Sequence, residues 1–495
     1  MSHSAASIKP LRGRIGITNA KARMPFRFGA VTIEAIAGAT LALDMLVDGQ
    51  QVTGYASELL AYKWFDKRPE KTPRDNIQDL LDTLNAALDI ATQAGSGSVF
   101  ALWQQLDRGV HNHTRSVGFN DLGASFGVAM LERAMMDGLA RAKGLTLHEL
   151  LRGPALGLNP QSIFAELAGR SLADCLPDAP LERMAIRHTV GMVDPLTAAD
   201  LDPDNRPDDG LPETLEDYIR ADNLQYLKVK LGGDVEADCA RLEAIGQIMT
   251  RAERPIQFTL DGNEQFKNLD AFADFMSAMR GSKYITAMLD QALFVEQPVD
   301  RVATFANPPA KTVLADIRLP LLIDEADGRT ATFHDAMALG YRGVSHKNCK
   351  GVIKTLLNAM LVAKRNEEIG EPRYFQSAED LTCMPVLSLN ADLALVSALG
   401  ITHSERNSHH YFAGLGHLSQ CEREAALAAH PDLYSSDEGV ARLKTHSGYL
   451  STRSTNVVGF GTDLVPDMDA MTPADEWAFE SLGLQESSLQ QESNA

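Results

Sequence analysis

Several large functional classes are excluded by what this chain lacks. Its 5 cysteines, Cys175, Cys239, Cys349, Cys383 and Cys421, are scattered and form no CxxC pair, which argues against a disulfide framework or a zinc ribbon. No GxGxxG or Walker-type phosphate loop is present, and Gly459-Phe460-Gly461 is too short to hold a nucleotide. No basic stripe offsets the formal charge of −20, so nucleic acid is not an expected partner. An anionic substrate stays open, because local charge decides that. The longest apolar run, residues 30–47, contains Glu34 and Asp44 and alternates like strands, so no membrane span is expected. Met1-Ser2-His3-Ser4 has no basic segment leading into an apolar one, so no secretory signal is expected. The resulting expectation is a reducing, cytoplasmic setting.

What is there suits a large core. The 495 residues are 44% apolar, enough for one large barrel and a smaller domain. Residues 1–23 show no sustained period. Ala30–Ile36, Ala39–Val47 and Gln51–Glu58 read as a three-stranded antiparallel meander, with Asp48-Gly49-Gln50 as a turn. Helical periodicity runs from Asn76 to Gln93, then from Leu122 to Ala142, then through Thr146–Leu151. These elements predict an α+β domain over residues 1–155. Met184–Met192 reads as a strand, and Asp194–Asp217 as a polar inserted loop.

From Leu224 onward, short apolar runs alternate with amphipathic helices such as Asp234–Thr250, Leu269–Met279, Thr332–Leu339 and Gly351–Arg365. Five of the runs end in a charge, at Lys230, Asp261, Glu296, Asp324 and Lys347. Their spacing matches βα units of the kind that make an eight-stranded barrel of about 250 residues. Arg373–Ser377 and Val396–Thr402 are the expected last two strands. The barrel is expected over 180–415, with 416–495 packing back on the first domain and Gln485–Ala495 disordered.

Strand ends of one barrel meet at one rim. Lys228 and Lys230, two apart, share a face; two buried ammonium groups need compensating anions, and each depresses the other's pKa. Alone, Lys-x-Lys is also what a solvated edge strand uses. Asp261, Glu296 and Asp324, three acids from successive strands, make a hard oxygen site of the kind that takes Mg²⁺. Any one of them alone is a common helix cap. Lys347 would face Lys230 across the barrel; a Schiff-base aldolase would also use such a lysine, but has no need of three strand-end acids.

As an ordered set, Lys228-x-Lys230, Asp261-x-Asn263, Glu296-Gln297-Pro298, Asp324-Glu325 and Lys347 resemble the enolase superfamily, specifically its muconate-lactonizing-enzyme and mandelate-racemase-like members. The similarity covers residues 227–351 closely and 124–151 more loosely. The resemblance implies a modified (β/α)7β barrel of TIM type under an N-terminal α+β capping domain. It implies Mg²⁺ on Asp261, Glu296 and Asp324, and Lys230 and Lys347 as acid–base residues on opposite substrate faces. Lys228 would hold the substrate carboxylate or tune Lys230. Asn263 would support the ligands, and Glu379 would bond a substrate oxygen. A lysine at 347 in place of a His–Asp pair favours the muconate-lactonizing pattern. The stretch Ser282–Gln291 exceeds the compact pattern and reads as an insertion.

The implied chemistry is Mg²⁺-dependent removal of the α-proton of a carboxylate through an enediolate. The outcome is dehydration or racemisation/epimerisation of a polar sugar or hydroxy acid, making the chain a lyase (dehydratase) or isomerase. Cycloisomerisation and a non-catalytic metal-binding barrel are the alternatives. The expected partner is a small-molecule carboxylate, together with further copies of the chain in a homo-oligomer. Arg23 and Arg27 could reach the substrate from a capping loop, whereas Phe26 and Phe28 read as interface packing. His346 should point away from the barrel interior. Ser404–His410 could bind an acid sugar, although a His-His pair is commonly a surface feature.

Overall fold

In the computed structural model, the described residues are 5–28, 31–204, 206–207, 209–306, 308–437 and 440–484. The expected disordered tail, 485–495, lies outside them, as does the side chain of Phe28. The antiparallel meander is present, but its first strand comes earlier than the sequence suggested. β1 is Ile8–Phe28, β2 is Val31–Val47 and β3 is Gln50–Leu59, so residues 31–47 are one strand rather than two. β1 and β2 pair from Ile8↔Val47 to Phe28↔Val31. Lys9, Arg12 and Arg14 lie on the solvent side of β1, which hides its apolar face (Ile8, Ile17, Ala20, Phe26) from a search for hydrophobic runs.

Four helices follow: α1 (Pro73–Gln93), α2 (Val99–Ser116), α3 (Asp121–Lys143) and α4 (Leu147–Arg152). The second is missing from the sequence reading; its buried face (Val99, Leu102, Trp103, Leu106, Val110) is interrupted by polar residues through His113. α3 is buried from Leu122 to Ala140, between the sheet, its neighbouring helices and the barrel. Its approach to β3 depends on Gly54, where an added Cβ would lie 2.0 Å from the carbonyl oxygen of Ala134.

The second unit is a closed ring of eight parallel strands: β4 (Arg183–Val190), β5 (Tyr226–Lys230), β6 (Gln257–Asp261), β7 (Ala292–Glu296), β8 (Leu321–Ile323), β9 (Gly343–His346), β10 (Phe375–Ala378) and β11 (His403–Arg406). Pairing of β11 with β4, from His403↔Ala185 to Arg406↔His188, closes it. The connecting helices are α5 (Leu215–Asp222), α6 (Val235–Arg251), α7 (Leu269–Met279), α8 (Lys283–Leu289), α9 (Ala303–Ala306), α10 (Lys311–Ile317), α11 (Thr332–Ala338), α12 (Val352–Ile369) and α13 (Leu387–Ala398). The extra residues before β7 form α8. The last strand corrects the sequence reading: Val396 and its apolar neighbours end α13, and the strand begins at His403.

The remaining chain returns to both units. β12 (Tyr434–Asp437) pairs with β13 (Val440–Leu443), β14 (Tyr449–Ser451) lies antiparallel on β4, and β15 (Thr472–Pro473) extends the first sheet beside β1. One contact ties α3 to the barrel. Buried Glu132 accepts from the backbone N–H groups of Val352 and Ile353, capping α12 just after Gly351, whose φ of +113° suits glycine. Among the described residues no helix is long and apolar enough to cross a membrane.

Candidate active site

The charged strand ends meet in one register. Lys230 pairs across strands with Asp261, and Asp261 with Glu296. Glu296 pairs with Leu322, so Asp324 stands two residues nearer the rim, on the same face. Lys347 directly follows β9. In a ring of eight, β9 is four strands from β5, so Lys230 and Lys347 rise from opposite walls.

Beneath them the barrel interior is ionic. Lys228 Nζ, fully buried, lies 2.9 Å from Asp261, 2.7 Å from Glu296, 2.8 Å from Glu379 and 2.9 Å from Glu405. Lys230 Nζ donates to Asp261 at 2.7 Å. Lys347 Nζ donates to Asp324 Oδ2 at 2.7 Å, and Lys350 Nζ to Oδ1 at 3.1 Å. Arg187 donates to Glu379 and, at 3.0 Å, to Ser377. Breaking one partner from such a buried set leaves an uncompensated charge.

Burial opposes every charge here, and the neighbours decide the outcome. Burial pulls Lys228 down, but its four carboxylates hold it well above the usual lysine value. The sequence expectation that two close lysines depress one another therefore fails for Lys228. Lys228 is as fully buried as the three acids, whereas Lys230 is 6% exposed. Burial pulls Lys347 down too, and Asp324 more than restores it, holding it above its usual value. Asp324 is raised by burial but brought well below the usual carboxylate range by Lys347, Lys350 and Lys228. Glu296 goes the other way: burial, then Asp261 and Glu379, push it well up against Lys228.

Above this layer is a cavity between barrel and cap. Lys230, Lys347 and Asn263 line it, with Asp380, Glu405 and Asn407. Its remaining walls are Thr382 and a set of apolar side chains: Phe26, Ile33, Ile36, Leu59, Ala61 and Trp64 from the first domain, and Leu381 and Phe412 from the barrel. Trp64 covers the Lys347 ammonium, with Nζ 4.4 Å from the ring centroid. Two cations fasten this roof. Arg301 donates to the carbonyls of Trp64 (3.0 Å) and Phe65 (2.8 Å) and pairs with Glu264 (2.8 Å). Lys67 pairs with Glu264 (2.6 Å) and donates to the Asn263 carbonyl (2.9 Å).

Not every expected residue reaches the cavity. Glu379 is buried, held by Lys228 and Arg187, and does not line the cavity. Arg27 does not line it either; strand alternation brings its neighbour Phe26 there instead. Arg23 pairs with Asp209 at 2.6 Å. His346 is buried behind its strand, between Thr355 and Asp392, as expected. Glu405 lines the cavity from β11, a strand the sequence places earlier, at Val396–Thr402. Lys350 lies outside the strand, as its sequence position indicates, yet a single turn (Asn348–Lys350) brings it back onto Asp324. Its signal is the spacing Lys347-x-x-Lys350.

The expected Mg²⁺ ligands suit a hard cation. Asp261, Glu296 and Asp324 are fully buried oxygen donors from adjacent strands, and neither Glu296 oxygen makes a hydrogen bond. In this form lysines stand among the three carboxylates, which are not gathered to within 4.8 Å of one another.

The architecture is shared with solved structures over nearly the full length. The chain is similar to a mandelate racemase/muconate lactonizing protein from Herpetosiphon aurantiacus, with a TM-score of 0.58 and 16% identity, covering 92% of this chain and 99% of that one. At this level of identity the likeness is one of fold. It is also similar to an enolase from Bradyrhizobium complexed with magnesium and mandelic acid (TM-score 0.56, 15% identity, 95% and 98% covered). A third similarity is to a dipeptide epimerase from Enterococcus faecalis complexed with Mg and L-Leu-L-Tyr (TM-score 0.58, 14% identity, 92% and 99% covered). No family model and no curated protein matches the chain.

Proposed function

We propose that this chain is an Mg²⁺-dependent enzyme that removes the α-proton of a carboxylate substrate and returns it, racemising or epimerising the α-carbon. The observation that carries this reading is the pair Lys230 and Lys347, which line one cavity from opposite walls of the barrel. Two proton-transfer groups facing one another suit an outcome in which one takes the proton and the other delivers it to the opposite face. Dehydration needs an acid for the leaving group as well, and remains the second outcome for a β-hydroxy substrate.

Asp261, Glu296 and Asp324 are the ligands we assign to Mg²⁺. When bound, the ion would stabilise the negative charge that develops on the substrate carboxylate as the α-proton leaves. Lys228 acts as a positioning residue: its four ion pairs fix Asp261 and Glu296 from below. Asn263 donates from its side chain to Glu325 at 3.2 Å, and its backbone N–H holds Asp261 at 2.9 Å, which orients that carboxylate.

The cavity walls favour an acid whose non-reacting part is apolar. On the cap side Phe26, Ile33, Ile36, Leu59 and Trp64 offer no partners to hydroxyls, and unpaired buried hydroxyls are costly; the polar lining, Asn263, Asp380, Thr382, Glu405 and Asn407, lies on the barrel side. The polar sequence after β11, which had suggested a sugar acid, contributes only Asn407 and Phe412 to the walls. The test is α-proton exchange in D₂O across small carboxylates, with and without Mg²⁺. Mg²⁺-dependent exchange with apolar α-substituted acids supports the reading; its absence with every acid, while Mg²⁺ binds, favours a non-catalytic metal-binding barrel.

A further inference from the structure

A second cluster lies on the other side of the barrel wall. His188 belongs to β4, between Arg187 and Thr189. Those two reach Glu379 and Glu405 in the interior, so alternation turns His188 outward. There it meets His409 and His410, which follow β11 in a short helix, α14 (Ser408–Tyr411). One ring nitrogen of each histidine lies within 4.8 Å of the others. His188 Nδ1 is 3.2 Å from His409 Nε2. Around a tetrahedral zinc with Zn–N of about 2.0–2.1 Å, two ligand nitrogens stand roughly 3.3 Å apart.

We propose that His188, His409 and His410 form a site for a divalent transition metal of the zinc type, distinct from the carboxylate site. Two further observations support it. Neither ring nitrogen of His410 makes a hydrogen bond, although the residue is 1% exposed, and His409 Nδ1 also has none. The rings are also held in place, His188 against Tyr218 at 4.6 Å and His410 parallel to Tyr218 at 4.9 Å.

Charge around the cluster is balanced. Arg23 donates to the His410 carbonyl and to Tyr218 Oη, both at 3.1 Å, but its charge is met by Asp209 at 2.6 and 2.7 Å. Asp194 Oδ2 lies 3.5 Å from His410 Nε2 and adds negative charge beside the cluster. His409 is the partly exposed member of the three. Arg406 pairs with His188 across the seam of the ring, so a bound ion would fasten the first barrel strand to the segment after the last.

The test uses the full chain with Mg²⁺ in excess, so that the carboxylate site cannot account for the signal. Titration with Co²⁺ should give one equivalent with the absorption of a tetrahedral nitrogen-rich site, displaced by Zn²⁺. X-ray absorption of the zinc-loaded protein should show imidazole nitrogens at about 2.0–2.1 Å. His409→Ala, at a partly exposed position, should weaken Co²⁺ binding by roughly 10–100-fold or more. No Co²⁺ binding in excess Mg²⁺, zinc without imidazole neighbours, or unchanged affinity in His409→Ala would overturn the proposal. The absorption measurement needs no variant, so it stands whatever the variant's stability.

Discussion

Lys228 Nζ stands 2.7 Å from Glu296 Oε2, both groups being fully buried, without the geometry of a hydrogen bond. The lysine is the common counter-ion of four carboxylates, and Glu296 is the one left without a donor. Replacing it therefore removes compensation from the whole layer. Lys228→Met should lower unfolding stability by about 3–5 kcal/mol in urea titrations. Lys230→Met, whose ion-pair partner is Asp261 alone and whose side chain borders the cavity, should cost less. Equal losses would mean that Lys228 is not the centre of the ionic layer.

Magnesium should stabilise the fold. An ion that binds only the native chain adds about 2.7 kcal/mol at a hundredfold excess over its Kd. Thermal unfolding should thus shift upward with Mg²⁺ and return with a chelator. Glu296→Gln should abolish the shift, because Asp261 and Asp324 alone leave an incomplete oxygen set. A full Mg²⁺ shift in that variant would remove Glu296 from the ligand set.

The roof gives a pH signature. Burial raises Glu264, but Lys67 and Arg301 outweigh it and hold the group at about 2, below its ordinary 4.5. A carboxylate lowered on folding contributes stability above its unfolded pKa and loses it as pH falls through the folded one. That contribution, roughly 3 kcal/mol, is present at neutral pH and fades from about pH 4.5 towards 2. Glu264→Gln should be less stable than the parent at pH 7, and the difference should close in acid. A constant difference across that range would contradict the pairing.

Trp64 closes the cavity over Lys347, and its backbone carbonyl is held by Arg301. Trp64→Ala should raise KM for apolar acids about 10–100-fold, in line with losing an aromatic wall worth roughly 1.5–3 kcal/mol. Small acids such as lactate should be affected least. A uniform loss across side-chain size would indicate a structural rather than a specificity role.

The site was more legible in the sequence than its setting. Lys230, Asp261 and Glu296 each end a short apolar run, and buried parallel strands are such runs, so the register could be anticipated. Glu405 could not, because Val396–Leu399, as apolar as a strand, is the end of a buried helix, and period alone does not separate the two. β1 was hidden by the charges on its solvent face. The ionic layer was hidden for another reason. Which lysine borders the cavity and which meets four carboxylates depends on depth in the barrel, and Lys228 and Lys230 differ by one pleat. The aromatic and aliphatic roof comes from residues 26–64, far in sequence from the acids it covers.

The central claim is that Lys230 and Lys347 serve opposite faces of one substrate. It is tested most directly by following α-proton exchange in D₂O by NMR, enantiomer by enantiomer, in Lys230→Ala and Lys347→Ala with Mg²⁺ present. Each variant should lose interconversion, and each should keep exchange with one enantiomer only, the two variants retaining opposite ones. Loss of exchange with the same enantiomer in both, or unimpaired interconversion in either, would contradict it.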